Sequence, residues 1–217
     1  AAFRLGTRFE GPAGDEDVVV NCAGLHADEV AQAFGDESFS IYPRKGEFFV
    51  FDPPGEQPLE RILLPVPTKR TKGVLVFPTL DGKVVAGPTA HDAEDKDDWS
   101  VRPDAAAEVL GKARAMLPGL EGAEPIASYA GLRPAGRDGA NYVIGPSTAC
   151  HRLINVAAIR STGLSASLGI AEHVAAMVAS QGVELGPDRP LPAAQLRSGS
   201  GAQPWWLRSA RHRSLVA

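Results

Sequence analysis

Leu153-Ile-Asn-Val-Ala-Ala-Ile-Arg-Ser-Thr-Gly-Leu-Ser-Ala-Ser-Leu-Gly-Ile-Ala-Glu-His173 reads as a buried strand that runs through a tight turn directly into a helix. Leu164, Leu168, Ala171, Ala175 and Val178 recur at helical spacing, which predicts a helix from Leu164 to about Ser180 that buries those five residues. Between strand and helix, Ser161, Thr162 and Gly163 are small. The two hydroxyls are ordinary N-cap chemistry, and Gly163 lets a ligand approach the main chain. A helix N-terminus aimed from a sheet edge attracts anions or polar ring edges, so phosphate and carboxylate ligands both satisfy the turn taken alone.

Outward from that stretch, Val18 to Asn21 is a β-branched run that predicts a second buried strand. It meets Cys22-Ala-Gly-Leu-His-Ala-Asp-Glu-Val-Ala31, where small residues lead into a helix with Asp28 and Glu29 at its positive end. From Ser40 to Gly87 the pattern changes to strands over Ile41 to Phe51, Ile62 to Thr68, Val74 to Thr79 and Val84 to Gly87. The turns Lys69-Arg-Thr-Lys-Gly73 and Leu80-Asp-Gly-Lys83 are short, which predicts an antiparallel sheet. Pro103 to Met116 reads as a helix with Pro103 at its first position. Two short strands, Ala127 to Pro134 and Tyr142 to Gly145, flank the polar turn Arg137-Asp-Gly139. After Gly182 the chain is rich in Pro, Gly, Ser and Arg with no acid beyond Asp188, the composition of an extended or disordered arm. Trp205-Trp206 is the exception, since adjacent large aromatics pack on something.

Composition bounds the function. With 217 residues, 44% apolar and 22% charged, the chain is long enough for a real core and is neither disordered nor membrane-spanning. A net charge of -4 provides no basic field, which argues against nucleic acid as a partner. Cys22 and Cys150 lack a C-x-x-C spacing and read as small buried hydrophobes, consistent with a reducing cytoplasm. His26, His151, His173 and His212 form no metal-ligand or triad pattern, and His91 reads as a surface or capped histidine before a general base. No signal peptide is visible, and Ala1-Ala-Phe-Arg-Leu-Gly-Thr-Arg-Phe-Glu10 begins inside a strand-like alternation without an initiator methionine, which suggests a piece of something longer.

Ser128-Tyr-Ala-Gly-Leu-Arg-Pro-Ala-Gly136 adds a family resemblance. This segment occurs with Asn21-Cys-Ala-Gly24, Tyr42-Pro-Arg-Lys-Gly46, Leu64-Pro-Val-Pro-Thr-Lys69, Gly87-Pro-Thr89 and Ile159-Arg-Ser-Thr-Gly-Leu-Ser165 in the order found in the D-amino acid oxidase superfamily of FAD-dependent oxidoreductases. The resemblance spans roughly residues 1 to 180 and is greatest to the glycerol-3-phosphate dehydrogenase or oxidase branch, with the L-2-hydroxyglutarate oxidase branch next. It implies an α+β fold: a mainly antiparallel substrate sheet over residues 36–145, and the closing strand and helix of an incomplete FAD-binding Rossmann-like domain from residues 1–35 and 146–182. Residues 183–217 form the extended or disordered tail.

The same resemblance implies roles for particular residues. Arg133 would hold the anionic end of a small substrate above the flavin, a task for which a planar guanidinium is suited, with Pro134 stiffening the backbone behind it. Arg160 would add a second positive group, and Ser161 would hydrogen-bond substrate or ring edge. Ala23 and Gly24 would lie beside the FAD diphosphate, and Ser161, Thr162, Gly163, Leu164 and Ser165 would touch the cofactor. Lys69 and Lys72 would neutralise a substrate phosphate if their turn folds over the site, although at least one is expected to be simply solvated. No segment matches the G-x-G-x-x-G turn that binds the FAD diphosphate, so that nucleotide-binding half and the general base are expected outside this chain, which alone should be inactive. The implied reaction moves hydride from a 2-hydroxy carbon to flavin N5, with oxygen or quinone as final acceptor. Oxidation of an amine and a non-catalytic module that keeps the sheet are the alternatives. A cytoplasmic protein, at most peripheral to the inner face of the membrane, is the matching location.

Overall fold

The computed structural model describes residues 3–9, 11, 18–52, 59–68, 73–187 and 205–206. Along them run β1 (Val19–Asn21), α1 (Ala27–Ala33), β2 (Ile41–Phe51), β3 (Leu75–Pro78), β4 (Val84–Gly87), β5 (His91–Asp92), α2 (Ala105–Met116), β6 (Ala127–Gly136), β7 (Val143–Pro146), β8 (Leu153–Ala157) and α3 (Gly163–Ser180). The chain forms two compact units, Ala1–Pro43 with Glu94–Lys96 and Arg133–Ala193, and Arg44–Ala93 with Asp97–Leu132 and Ala194–Ala217. The long strands β2 and β6 contribute residues to both.

In the first unit the sheet order is β1-β8-β7. β1 pairs in parallel with β8, Val19 opposite Leu153 and Asn21 opposite Asn155, while β7 pairs with β8 antiparallel. The apolar run of β8 is central, so Leu153, Ile154 and Ala157 are all buried. Leu153 and Ala157 pack with Ala27 and Ala31 of α1, Phe39 and Ile41. Strand alternation sends Ile154 and Val156 to the other face, and α3 lies against β7 and β8. The α3 stripe differs from expectation: no residue of the helix is buried, and Leu164 and Leu168 are 91% and 86% exposed. Of the five residues expected inside, only Ala175 and Val178 are partly covered, and Ala171 is exposed. The rest of the partly covered face is Ala166, Ile170, Val174 and Met177, which also recur every three or four positions. A helix apolar on two faces has offered the sheet one of them. The cysteines also depart from the buried reading, since Cys22 is exposed and Cys150 only partly covered.

The second unit holds a sheet of order β3-β4-β2-β5, with β6 also on β2. β4 is antiparallel to both β2 and β3, and β5 is antiparallel to β2. One face of β2 presents Phe49 and Phe51, which form the core with Val74, Val76, Val84, Ala86 and the α2 residues Ala105, Val109 and Ala113. Helix α2 starts at Ala105 with Asp104 as N-cap, two residues later than Pro103 suggests. The strand expected over Ile62 to Thr68 shrinks to a single bridge, Leu63 opposite Val76. Pro65 and Pro67 supply no N–H donors, so a ladder cannot extend through them.

Lys45 and Glu47 continue the Phe49 face of β2 yet are almost fully buried. Each survives there because it is paired. Lys45 Nζ donates to Asp98 Oδ2 at 2.6 Å and to the Ser100 carbonyl at 3.1 Å. Glu47 accepts from Thr89 Oγ1 at 2.6 Å, Arg102 N at 2.7 Å and the Arg102 guanidinium at 2.8 Å. These bonds fix the segment between β5 and α2 to the sheet.

Two predictions arise from this packing. Gly87 has φ +146°, and a Cβ there would stand 2.6 Å from the Glu47 carbonyl oxygen and 2.7 Å from Phe48 Cδ1. Gly87→Ala is therefore expected to cost about 3 kcal/mol through strain and overpacking, read as a lower urea midpoint at unchanged slope. The second concerns acid. Asp98 is held down from 3.8 to about 2, first by the Lys45 hydrogen bond and then by Ser100. Its folded value lies below its unfolded value, so its contribution is fully present above pH 3.8 and fades as pH falls through about 2. Thermal melts across that interval should lose part of their pH dependence in Asp98→Asn.

Candidate functional site

The β8-to-α3 turn and the β1-to-α1 turn both leave the C-terminal ends of two neighbouring parallel strands. Ligands of open α/β sheets bind at that edge. Each turn is shaped by specific contacts.

At the first turn, Ala158 ends the strand with φ +54° and Tyr142, just before β7, has φ +53°. Both are uncommon conformations for non-glycine residues. The Tyr142 N–H donates to the Ala158 carbonyl at 3.2 Å, and its phenol hydroxyl bonds the Thr162 hydroxyl. Thr162 is the N-cap of α3, and its side chain makes no capping bond. The Thr162 carbonyl instead accepts from Ala166 N at 2.9 Å and from Ser165 Oγ at 3.0 Å. The positive end of an 18-residue helix thus carries first-turn N–H groups without a side-chain cap. Arg160, Ser161, Thr162, Leu164 and Ser165 are exposed around it, and Gly163 is partly covered. A Cβ on Gly163 would come within 3.3 Å of Ile159 Cγ2, so the turn is tight where the glycine sits.

At the second turn, Gly24 has φ +61° and follows Ala23. Asn21 ties this turn down. Its Oδ1 accepts from Ala23 N at 3.2 Å, and its Nδ2 donates to the Ala27 carbonyl at 2.8 Å and to Asn155 Oδ1 at 2.9 Å. Asn155 Nδ2 in turn donates to Asp36 Oδ2 at 3.0 Å. Burial pushes the Asp36 carboxyl up, but hydrogen bonds from Ser147, Ser38 and Asn155 outweigh it and hold the group below its usual value. Asn21, Asn155 and Asp36 are all buried, so the chain of bonds is a fixed link between the two strand ends.

The structure therefore brings Ala23 and Gly24 and the segment from Ser161 to Ser165 to neighbouring strand ends of one sheet. Arg160 opens the β8-to-α3 turn and makes no ion pair among the described residues. Arg133 is half-buried on β6, with Pro134 after it. Lys69 and Lys72 lie outside the described residues. His91 is exposed on β5 opposite Lys45, and His26 bonds Glu29 at 2.9 Å. No group of His, Cys, Asp and Glu among the described residues could hold a metal ion. The resemblance gives no role to Tyr142 or Asn155 and includes Asn21 only within the segment to Gly24. A polar Asn inside each of two apolar strand runs is the signal for the pair; nothing local marks Tyr142 as the partner of Thr162.

Comparison with known proteins gives the arrangement a family. The model of the family "FAD dependent oxidoreductase" matches residues 3–177. Glycerol 3-phosphate dehydrogenase of Caloramator mitchellensis is 32% identical over 160 residues, covering 74% of this chain and 33% of that protein. The mitochondrial L-2-hydroxyglutarate dehydrogenase of Arabidopsis thaliana is 31% identical over 178 residues, 73% of this chain and 37% of that one. Among solved structures, the dithionite-reduced L-alpha-glycerophosphate oxidase of Mycoplasma pneumoniae with FAD bound superposes with a TM-score of 0.67 at 28% identity, covering 74% of this chain and 42% of that chain. The chain thus spans about a third to two fifths of the length of these proteins. The α+β architecture with its antiparallel sheet agrees with that likeness. A family match over most of its length makes this chain a member of the FAD-dependent oxidoreductase family.

Proposed function

We propose that this chain is the substrate sheet and closing nucleotide-domain portion of a flavoprotein that oxidises a small anionic 2-hydroxy compound of the glycerol 3-phosphate class. The observation that carries the reading is the pair of turns at adjacent parallel strand ends, one of them the uncapped start of α3. These residues fit FAD. Ala23 and Gly24 are small enough to lie beside a diphosphate, and Ser161, Thr162, Gly163, Leu164 and Ser165 present exposed donors and a positive helix end to an electron-rich ring edge.

When bound, FAD supplies a hydride acceptor at N5. The chain's own residues do the rest of what is assigned to it. The α3 N-terminus favours negative charge on the ring edge that faces it. Ser161 donates a hydrogen bond to that edge or to substrate. Arg133 and Arg160 bind the substrate anion, Arg133 through the two parallel bonds a guanidinium offers to carboxylate or phosphate. Lys69 and Lys72 are further candidates for a phosphate group. The general base is assigned to no residue of this chain.

A nucleotide-binding half beyond these residues completes the proposal. Besides the share of length that the relatives add, β1 is the outer strand of a parallel pair, with Val20 37% exposed, and α3 turns Leu164 and Leu168 to solvent. Parallel sheets are normally covered on both faces and at their strand edges, so these groups are suited to further strands and helices. Oxygen or a quinone would reoxidise the flavin. No helix among the described residues is long and apolar enough to cross a membrane.

Oxidation of an amine substrate is the second reading, since the Arg133 clamp serves an amino acid carboxylate equally well. Anaerobic mixing of the flavin-loaded protein with glycerol 3-phosphate, L-2-hydroxyglutarate and glycine separates them. Bleaching of the flavin fastest by glycerol 3-phosphate is the expected result; reduction by glycine alone would move the protein to the amine-oxidising side.

A further inference from the structure

The second unit's sheet has two apolar faces, and α2 covers only the one that carries Phe49 and Phe51. The opposite side of β2 presents Phe48 and Val50. There Val50 and Val85 are fully buried and pack in one cluster with Trp206, itself 9% exposed. Phe77, Ala127 and Tyr129 complete the patch.

Its geometry is that of a built surface. Tyr129 stacks on Phe48 with centroids 5.0 Å apart and planes at 11°. Trp205 meets Tyr129 edge-on at 5.8 Å and 81°, and Trp206 meets Trp205 at 5.5 Å and 90°. Stacked and edge-to-face contacts at these separations are the favoured aromatic arrangements. The turn between β3 and β4 adds polar fastenings. Trp205 Nε1 donates to Asp81 Oδ1 at 3.4 Å, and the Lys83 ammonium lies 5.7 Å from the Trp206 ring centroid while bonding Asp52 at 2.9 Å.

We propose that this face is a docking surface for an aromatic dipeptide, that its occupant is the chain's own Trp205-Trp206, and that Asp81 and Lys83 are its latch. The pair acts as a clasp, closing the face when seated and leaving Phe48, Phe77 and Tyr129 open to solvent when released. An aromatic patch of that kind favours self-association. The clasp follows from contacts inside one unit and stands whether or not the flavoprotein reading holds.

The test uses the full 217-residue chain with Trp99→Phe, which leaves Trp205 and Trp206 as the only tryptophans. Blue-shifted emission and protection from acrylamide are expected in a species that sediments as a monomer. Adding Asp81→Asn, exposed, together with Lys83→Gln, partly covered, in the turn between β3 and β4 should raise quenching toward that of the urea-unfolded chain while the far-ultraviolet dichroism stays unchanged. A peptide spanning residues 203–208, added to a Trp205→Ala, Trp206→Ala chain, should show the same blue shift on binding. Solvent-like emission in the Trp99→Phe chain would overturn the proposal. So would protection found only in a dimer, which would place the pair on a second copy, or protection indifferent to the latch and a peptide that does not bind.

Discussion

Replacing Arg102 with methionine is expected to remove about 3–5 kcal/mol of stability, the cost of leaving a buried charge without its partner. Glu47 has no exposed side-chain surface, and Arg102, 22% exposed, reaches it through both its guanidinium and its backbone N–H. Burial pushes the Glu47 carboxyl up most strongly, but the bonds from Arg102 and Thr89 together hold it below its usual value. With its folded value depressed, Glu47 contributes stability above the unfolded carboxylate range and loses it as pH falls through the folded value. Arg102→Met removes the guanidinium bonds and their charge while the Thr89 hydroxyl and the backbone N–H of residue 102 remain, so the folded value rises and the variant loses less stability on acidification than the parent chain. Urea titrations at neutral and mildly acidic pH distinguish this from a simple loss of packing. Adding Glu47→Gln should recover part of the loss, since the stranded charge is then gone.

If Arg133 holds the substrate anion as proposed, Arg133→Met is expected to lower kcat/KM of the flavin-loaded protein for an anionic 2-hydroxy substrate by about 10²–10³-fold, the cost of two charge-assisted bonds. Arg133→Lys keeps the charge but not the paired geometry and should retain only part of that activity. The flavin spectrum should be unchanged in both variants, which separates a substrate contact from a collapsed sheet. Arg133 is half-buried on β6 and is followed by Pro134, which restricts the backbone after it. An Arg133→Lys protein with unaltered substrate affinity would remove this residue from the site.

The strands with strong alternation are the easiest to read. Ile41 to Phe51 is β2 without adjustment, with Ile41, Tyr42 and Phe48 to Phe51 at its two ends, and Val84 to Gly87 is β4, opened by two valines. Where reading and structure part, a particular group is responsible. Pro65 and Pro67 interrupt the ladder that the apolar residues Ile62 to Val66 suggest. Helix α3 is apolar on more than one side, so periodicity locates a helix but not which face meets the sheet. The hydroxyl of Thr162 promises a cap and is taken by Tyr142, twenty residues earlier. Contacts of that range have no local signature, and the same is true of the bond from Arg102 to Glu47. The candidate site is legible chiefly where one turn holds it, from Arg160 to Ser165.

The turns at Ala23-Gly24 and Ser161-Ser165 are proposed as one side of a flavin site. The most direct test is the visible absorption spectrum of this chain co-expressed with the FAD-binding half of a relative such as the Mycoplasma pneumoniae oxidase, together with its Gly163→Val variant. Bound flavin with bands that persist through gel filtration, and that weaken or shift when the valine side chain fills the turn, is the predicted result. A folded protein without flavin bands, or bands indifferent to that substitution, would contradict it.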